Sequence, residues 1–260
     1  MPRLCHDNGR SGTIGIRAFE LEGKILQSLF SSTLSRLVLL GIGIGCSLLI
    51  LTGWTNKEPT HAKQVLPMAD VLIDAGHGGI DSGTHWNNVL EKDINLEISR
   101  KLYLLLRSHG LKVILNRTGD YALSDDNRWH ITRSRHRKDL SQRRGLSDEI
   151  GASVFVSIHV NWSPKGGKRG PLVIHQSEGR SAILAGFIQT SLNQQQGKYR
   201  LPQEAKQFYL LNRVQVPSVI VETAFLNDPG DRSMLTSIPG QNRLAAAIAD
   251  GIMSYRYFCP

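Results

Sequence analysis

The sequence predicts an α/β fold, an open and mostly parallel mixed β-sheet with helices on both faces. Short β-branched runs recur along the chain: VLID at 71–74, SVFVSIHV at 153–160 and SVIVE at 218–222. Between them lie segments with apolar residues at helical spacing, such as Ile94, Ile98, Leu102 and Leu105. Strand and helix therefore alternate, without internal repeats, as they do where helical crossovers join parallel strands.

The first 68 residues stand apart from this pattern. Arg3, Arg10, Arg17, Lys24 and Arg36 precede an uncharged run, LVLLGIGIGCSLLILTGW at 37–54, and only Lys57 and Lys63 follow closely. The run is just long enough to span a bilayer and ends on a tryptophan suited to the interface. The charge bias predicts a cytoplasmic leader at 1–36, a transmembrane signal-anchor at 37–54, a proline-containing linker at 55–68 and an exported domain at 69–260. A cleaved secretory signal is the competing reading. A lipoprotein site at Cys46 fits less well, because SLLILTG after it is apolar.

Within the domain, residues 69–74 read as a strand and 94–108 as a helix closed by Gly110, with a second strand at 111–116. Residues 119–140 are polar and aperiodic, which predicts a long functional loop. A short helix at 141–150 leads to the central strand at 153–160, which is strongly β-branched. After the glycine-rich loop SPKGGKRGP come a strand at 172–175, a helix at 182–192, strands at 207–211 and 218–222, and a closing helix at 241–257.

Composition narrows the function. Of 260 residues, 40% are apolar and 20% charged, so a folded core is expected and wholesale disorder is not. The three cysteines are Cys5, Cys46 and Cys259, which excludes a disulfide framework or thiolate metal site in the body of the domain. The net charge of +9 is concentrated, outside the leader, at 128–144 and in SPKGGKRG. Anionic polymer or acidic peptide suits such a surface on an exported protein, and a solvated basic face with no partner is the competing reading. Nucleic acid does not, since Trp129 is the lone aromatic interleaved with that run.

In open α/β sheets, binding sites form beyond the carboxyl ends of the strands. The first strand runs into His77, the central strand into His159 and the late strand into Glu222, while Glu91 opens the first long helix. Each has an ordinary alternative role. A histidine between glycines can serve a turn, Glu91 the helix dipole and Glu222 an arginine. Their coincidence at one sheet edge favours chemistry. Two imidazoles and a carboxylate form a catalytic zinc set with a fourth position for water, and a further carboxylate can take that water's proton.

Five ordered segments then carry a specific resemblance: DAGHGGIDSG (74–83), LEKDINL (90–96), NRTGD (116–120), LSQRRGLSDEIGASVFVSIHVN (140–161) and VPSVIVETAFLND (216–228). Together they resemble the zinc-dependent N-acetylmuramoyl-L-alanine amidases of the amidase 3 family over about residues 70–257. The resemblance implies a single catalytic domain that binds one Zn2+ through His77, Glu91 and His159, with Glu222 catalytic. Ala224 stands where glycine is usual, and Asp228 follows Asn227; neither touches the zinc set.

The substrate so implied is peptidoglycan, cut between the muramoyl lactyl group and L-alanine. Within the family, the anchored amino terminus and the polar insertion bearing Arg128, Arg133, Arg135, Arg137 and Lys138 are in character with sporulation and germination members. The other readings are a zinc peptidase acting within the stem peptide and a non-catalytic wall-binding protein on the same fold. His85 and His130 receive no role, and His175 in VIH reads as a sheet residue.

Overall fold

The computed structural model describes residues 68–125, 133–206 and 208–259, together with Leu37 and Leu40. The leader, the rest of the 37–54 segment, linker residues 55–67, Arg128 and His130 lie outside the described residues. Among the described residues no helix is long and apolar enough to cross a membrane. Residues 64–260 form one compact unit.

In chain order the elements are β1 (Val71–Ala75), β2 (His85–Trp86), β3 (Val89–Leu90), α1 (Glu91–Ser108), β4 (Val113–Leu115), a 3-10 turn (Leu123–Asp125), α2 (Arg135–Ile150), β5 (Val154–Asn161), β6 (Leu172–His175), α3 (Gly179–Gln196), β7 (Gln203–Glu204), β8 (Ser218–Phe225), α4 (Pro229–Thr236) and α5 (Ile238–Phe258). The main sheet has strand order β4-β1-β5-β8-β6-β7, and β2 with β3 forms a separate hairpin. Neighbours are parallel except β6 against β8, so the sheet is mixed but mostly parallel, as the alternation predicts.

Alternation along the strands places a core on each face. Val71 and Ile73 of β1, Val154, Val156 and Ile158 of β5, and Val219 and Val221 of β8 pack beneath Ile98 and Leu102 of α1, Leu184 and Ile188 of α3, and Leu244 and Ile248 of α5. On the opposite face, Leu72 and Phe155 meet Ile150, Leu140 and Leu146 of α2, together with Leu210 and Val214. Both faces are covered, which is why the strands read as nearly continuous apolar runs.

Local signals set the helix ends. Glu91 and Asp93 lie in the first turn of α1, where the helix dipole favours negative charge. The Ser134 hydroxyl accepts from the Arg137 amide to start α2, and Gly151 ends it in the left-handed region at φ 61°. The Glu178 carboxylate accepts from the amides of Arg180 and Ser181 to cap α3. Ser237 caps α5 with a proline in its first turn.

Three expectations change. The helix expected at 141–150 begins at Arg135, so the loop expected at 119–140 gives up its last residues to α2. Of the strand expected at 207–211, Gln207 lies outside the described residues and 208–211 do not form a strand. Residues 209–213 are a turn in which Asn212 donates to the Phe208 carbonyl and Val214 to that of Leu210, and the edge position is taken by Gln203–Glu204. The β2–β3 hairpin and α4 have no counterpart in the sequence reading.

Beneath the carboxyl edge lies a buried polar network centred on Asp74. Its Oδ1 accepts from Arg143 Nη1 and Asn116 Nδ2, both at 2.5 Å, and its Oδ2 from Ser157 Oγ at 2.5 Å. Arg143 also donates through Nε to Asp139 at 2.5 Å and through Nη1 to the Ala75 carbonyl at 3.0 Å. Burial works against the Arg143 charge, but Asp74 and Asp139 overcome it and hold the guanidinium well above its ordinary value. Replacing Arg143 with Met would strand two carboxylates beside apolar packing. Arg143→Met is expected to lower unfolding free energy by about 3–5 kcal/mol, measured by urea denaturation; a loss below about 1 kcal/mol would contradict the network's structural role.

Candidate metal centre

The chain leaves β1 through Gly76, whose amide donates to the Ile158 carbonyl of β5 at 3.0 Å. A Cβ on Gly76 would collide with the imidazole of His159, so only glycine lets that ring lie against the main chain. The next residue, His77, adopts φ 61°, a left-handed conformation that is uncommon outside glycine. It is held from several sides. Its carbonyl accepts from Arg143 Nη2 at 2.8 Å, and Gly78 and Asp81 exchange backbone hydrogen bonds of 3.0 and 3.1 Å. Backbone strain of this kind gathers at functional sites.

Side-chain contacts complete the aim of His77. Asp81 Oδ2 lies 2.8 Å from His77 Nδ1, which fixes the tautomer so that Nε2 carries the free lone pair. Nε2 lies 3.2 Å from Glu91 Oε1. Glu91 is the first residue of α1 and is buried. Its Oε2 accepts from the Thr84 amide at 2.8 Å, and its Oε1 from the Val160 amide at 3.0 Å. His159 Nδ1, on β5, lies 3.0 Å from the same Oε1. A Cβ on Gly83 would press on both Glu91 and His77, so glycine is needed at the second turn as well.

The donor atoms of His77, Glu91 and His159 all lie within 4.8 Å of one another. Zinc bonds of about 2.0–2.2 Å at tetrahedral angles require donors roughly 3.3 Å apart, so the contacts to Glu91 fit such an ion with little adjustment. The electrostatics agree. Burial disfavours charge on His77, yet hydrogen bonds to Asp81 and Glu91 outweigh it and raise its pKa to about 9. Glu91 is likewise penalised by burial but held far below the usual carboxylate range by His159 and His77. This is a site built to hold positive charge, and a metal ion binding there displaces the His77 proton.

Glu222 stands beside the cluster, paired in register with His159 across β5 and β8. Its Oε2 is buried and has no hydrogen-bond partner among the described residues. Burial first, and then the negative Glu91, raise its pKa to about 7 against the opposing pull of the two histidines. It opens with His159 onto a cavity of about 290 Å³ lined also by His136, Leu140 and Tyr209. A carboxylate with a free oxygen and a pKa near neutrality is poised for proton transfer.

All four residues expected from the sequence thus meet at one edge. His175 Nδ1 instead donates to the carbonyl of its neighbour Gln176 at 2.8 Å, and His85 is exposed in the hairpin. The residues that sequence reasoning missed are those that aim the others: Asp81, Asp74, Asn116, Arg117 and Arg143. Arg117 donates to the carbonyls of Ala75, Gly76, Gly119 and Lys92, and burial lowers its pKa first, with Arg143 adding to the effect. Their signal lay in the segments DAGHGGIDSG, NRTGD and LSQRRG, which carry these side chains.

The chain is similar to known proteins over most of the described domain. The germination-specific N-acetylmuramoyl-L-alanine amidase of Bacillus subtilis is 29% identical over 194 residues, covering 73% of this chain and 81% of that protein. The N-acetylmuramoyl-L-alanine amidase LytC of the same organism is 30% identical over 204 residues, 77% of this chain but 38% of LytC. Among solved structures, the CwlD amidase from Clostridioides difficile, determined in complex with the GerS lipoprotein, superposes with a TM-score of 0.68 at 32% identity, covering 73% of this chain and 99% of that one. The family model described as N-acetylmuramoyl-L-alanine amidase matches residues 71–254, well over half of the chain and every element from β1 into α5. The chain belongs to the N-acetylmuramoyl-L-alanine amidase family.

Proposed function

We propose that residues 69–260 are a single zinc-dependent catalytic domain that hydrolyses the amide between the muramoyl lactyl group of peptidoglycan and L-alanine. The observation that carries this reading is the unpartnered carboxylate of Glu222 beside the compact His77, Glu91 and His159 cluster. These three side chains would hold one Zn2+. Bound there, the ion supplies Lewis-acid polarisation of the carbonyl and acidifies water.

The chain's own groups do the rest. Glu222 takes a proton from the attacking water and delivers it to the departing L-alanine nitrogen, a shuttle suited to a pKa near 7. Asp81 keeps His77 in the tautomer that leaves Nε2 free. The Val160 and Thr84 amides hold the Glu91 carboxylate at two points, so it cannot swing toward Glu222.

The basic leader, the apolar run at 37–54 and the linker support an exported domain anchored with its amino terminus in the cytoplasm. Similarity to a germination-specific amidase and to CwlD supports spore-cortex peptidoglycan as substrate, linked to muramic δ-lactam formation. LytC, whose name carries no such restriction, is equally similar, so both wall and cortex material belong in the assay. Mass spectrometry of digested muropeptides is expected to show intact stem peptides released from lactyl groups, and chelation to stop it. Shortened peptides would instead indicate a peptidase.

Glu222→Gln is expected to lower kcat by about 10²–10⁴ while leaving one metal per chain by elemental analysis; full hydrolysis by this variant would remove Glu222 from its role. Because the active form of Glu222 is the carboxylate, kcat/KM is expected to fall as pH drops through its pKa. Zinc loading should shift that limb below the metal-free value of about 7, since a nearby cation favours the ionised form. Asp81→Ala is expected to weaken zinc retention by about 10–100-fold in chelator competition; unchanged retention would show that the Asp81 contact is incidental.

A further inference from the structure

Two indoles beside the metal centre take no part in the chemistry just described. Trp86, on the β2–β3 hairpin, and Trp162, just beyond β5, lie with ring centroids 6.2 Å apart and planes inclined by 37°. Both keep 38% of their surface exposed. Neither belongs to the buried apolar clusters of the described residues. Large exposed aromatic surface of this kind is unfavourable unless something covers it in use.

The pair is held in place by several contacts. Arg232 of α4 lies 4.3 Å over the Trp86 ring and donates through Nη1 to the Leu226 carbonyl at 3.0 Å, so the cation backs one indole and is itself anchored. The Trp162 amide donates to Asn161 Oδ1 at 2.8 Å. At the next residue, Asn227 accepts from the Ser163 amide at 3.1 Å and donates to the Ser163 carbonyl at 2.7 Å. Trp86 pairs with Val89 across the hairpin that runs directly into Glu91. Order prepared before binding lowers the entropic cost of capturing a ligand.

Position identifies the occupant. Trp162 follows His159 by three residues, roughly 10 Å along an extended chain. Trp86 lies two residues from Thr84, whose amide holds Glu91. The amide to be cut hangs from the lactyl ether of a muramoyl ring, so the glycan must pass within a sugar's width of the cluster. A β-linked pyranose presents a face of C–H bonds, which matches an indole face and is repelled by neither tryptophan nor the backing arginine.

Resting on the amidase reading above, we propose that Trp86 and Trp162 form a glycan-binding platform on which the sugar next to the reacting muramoyl residue stacks, so that strand binding and not only the peptide positions the amide. Arg232 and Asn227 are positioning residues for this platform.

The test uses the full-length, zinc-loaded chain and two readouts. In the first, the β-1,4-linked N-acetylglucosamine tetramer, which carries no peptide and no scissile amide, is titrated while tryptophan fluorescence is followed. The wild type is expected to bind, and Trp162→Ala and Trp86→Ala to weaken binding by about tenfold, with Trp162→Phe recovering part of it. In the second, the ratio of kcat/KM on peptide-bearing glycan strands to that on muramyl dipeptide is expected to fall about tenfold in the alanine variants, through KM.

An equal loss on both substrates would mean a purely structural role and overturn the proposal. So would a wild type that ignores the tetramer, or alanine variants that bind it as the wild type does. If the wild type hydrolyses nothing, the amidase reading fails, while the tetramer titration still decides whether the platform binds sugar.

Discussion

Asp74 lies almost fully buried where β1 leaves the sheet, and its charge is tolerable there because both carboxylate oxygens accept hydrogen bonds, Oδ1 from Arg143 and Asn116 and Oδ2 from Ser157. The partners come from three separate stretches: Arg143 from α2, Asn116 from just beyond β4 and Ser157 from the middle of β5. Asn116 in turn accepts from the Ala75 amide, and Arg143 reaches past Ala75 to the His77 carbonyl. The left-handed turn at His77 is therefore fixed by a charge network one layer below it. The rigid base lets a strained residue carry a functional side chain without relaxing.

A second layer of constraint sits on the metal side. Glu91 touches both histidines and two backbone amides while occupying the first position of α1. Helix packing, hairpin closure and the geometry of the cluster are thus one event. The protein tolerates a buried carboxylate, a buried arginine and two inward histidines at one edge because each is paired. Glu222 differs: its Oε2 has no hydrogen-bond partner among the described residues, and in the proposed mechanism that oxygen handles water and substrate.

Much of this was legible in the sequence, for identifiable reasons. The central strands announce themselves because burial on both faces demands β-branched residues at consecutive positions, and the site residues because strand ends in such sheets point at the crevice. The start of α2 was illegible because RHRKDL has no apolar stripe and puts basic side chains at the end of a helix that disfavours them. Gln207–Leu211 looked like a strand because FYLL is apolar. Leu210 and Leu211 are buried, but against the sheet as a turn that covers it. Arg143 and Arg117 read as solvated cations until burial shows them bound to carbonyls, since a sequence records an arginine but not its depth.

The strand order has a temporal consequence. β1, β5 and β8 lie side by side, yet long stretches of chain separate them, and those pairings bring residues 77, 159 and 222 together while α1 brings in Glu91. Such distant partners meet late, after large loops have closed. A nascent chain offers isolated histidines and carboxylates with little hold on a metal ion, and the cluster is complete only when the last inner strand docks. The topology works as a timer: it withholds hydrolytic capability from the unfinished polypeptide until the whole sheet has assembled.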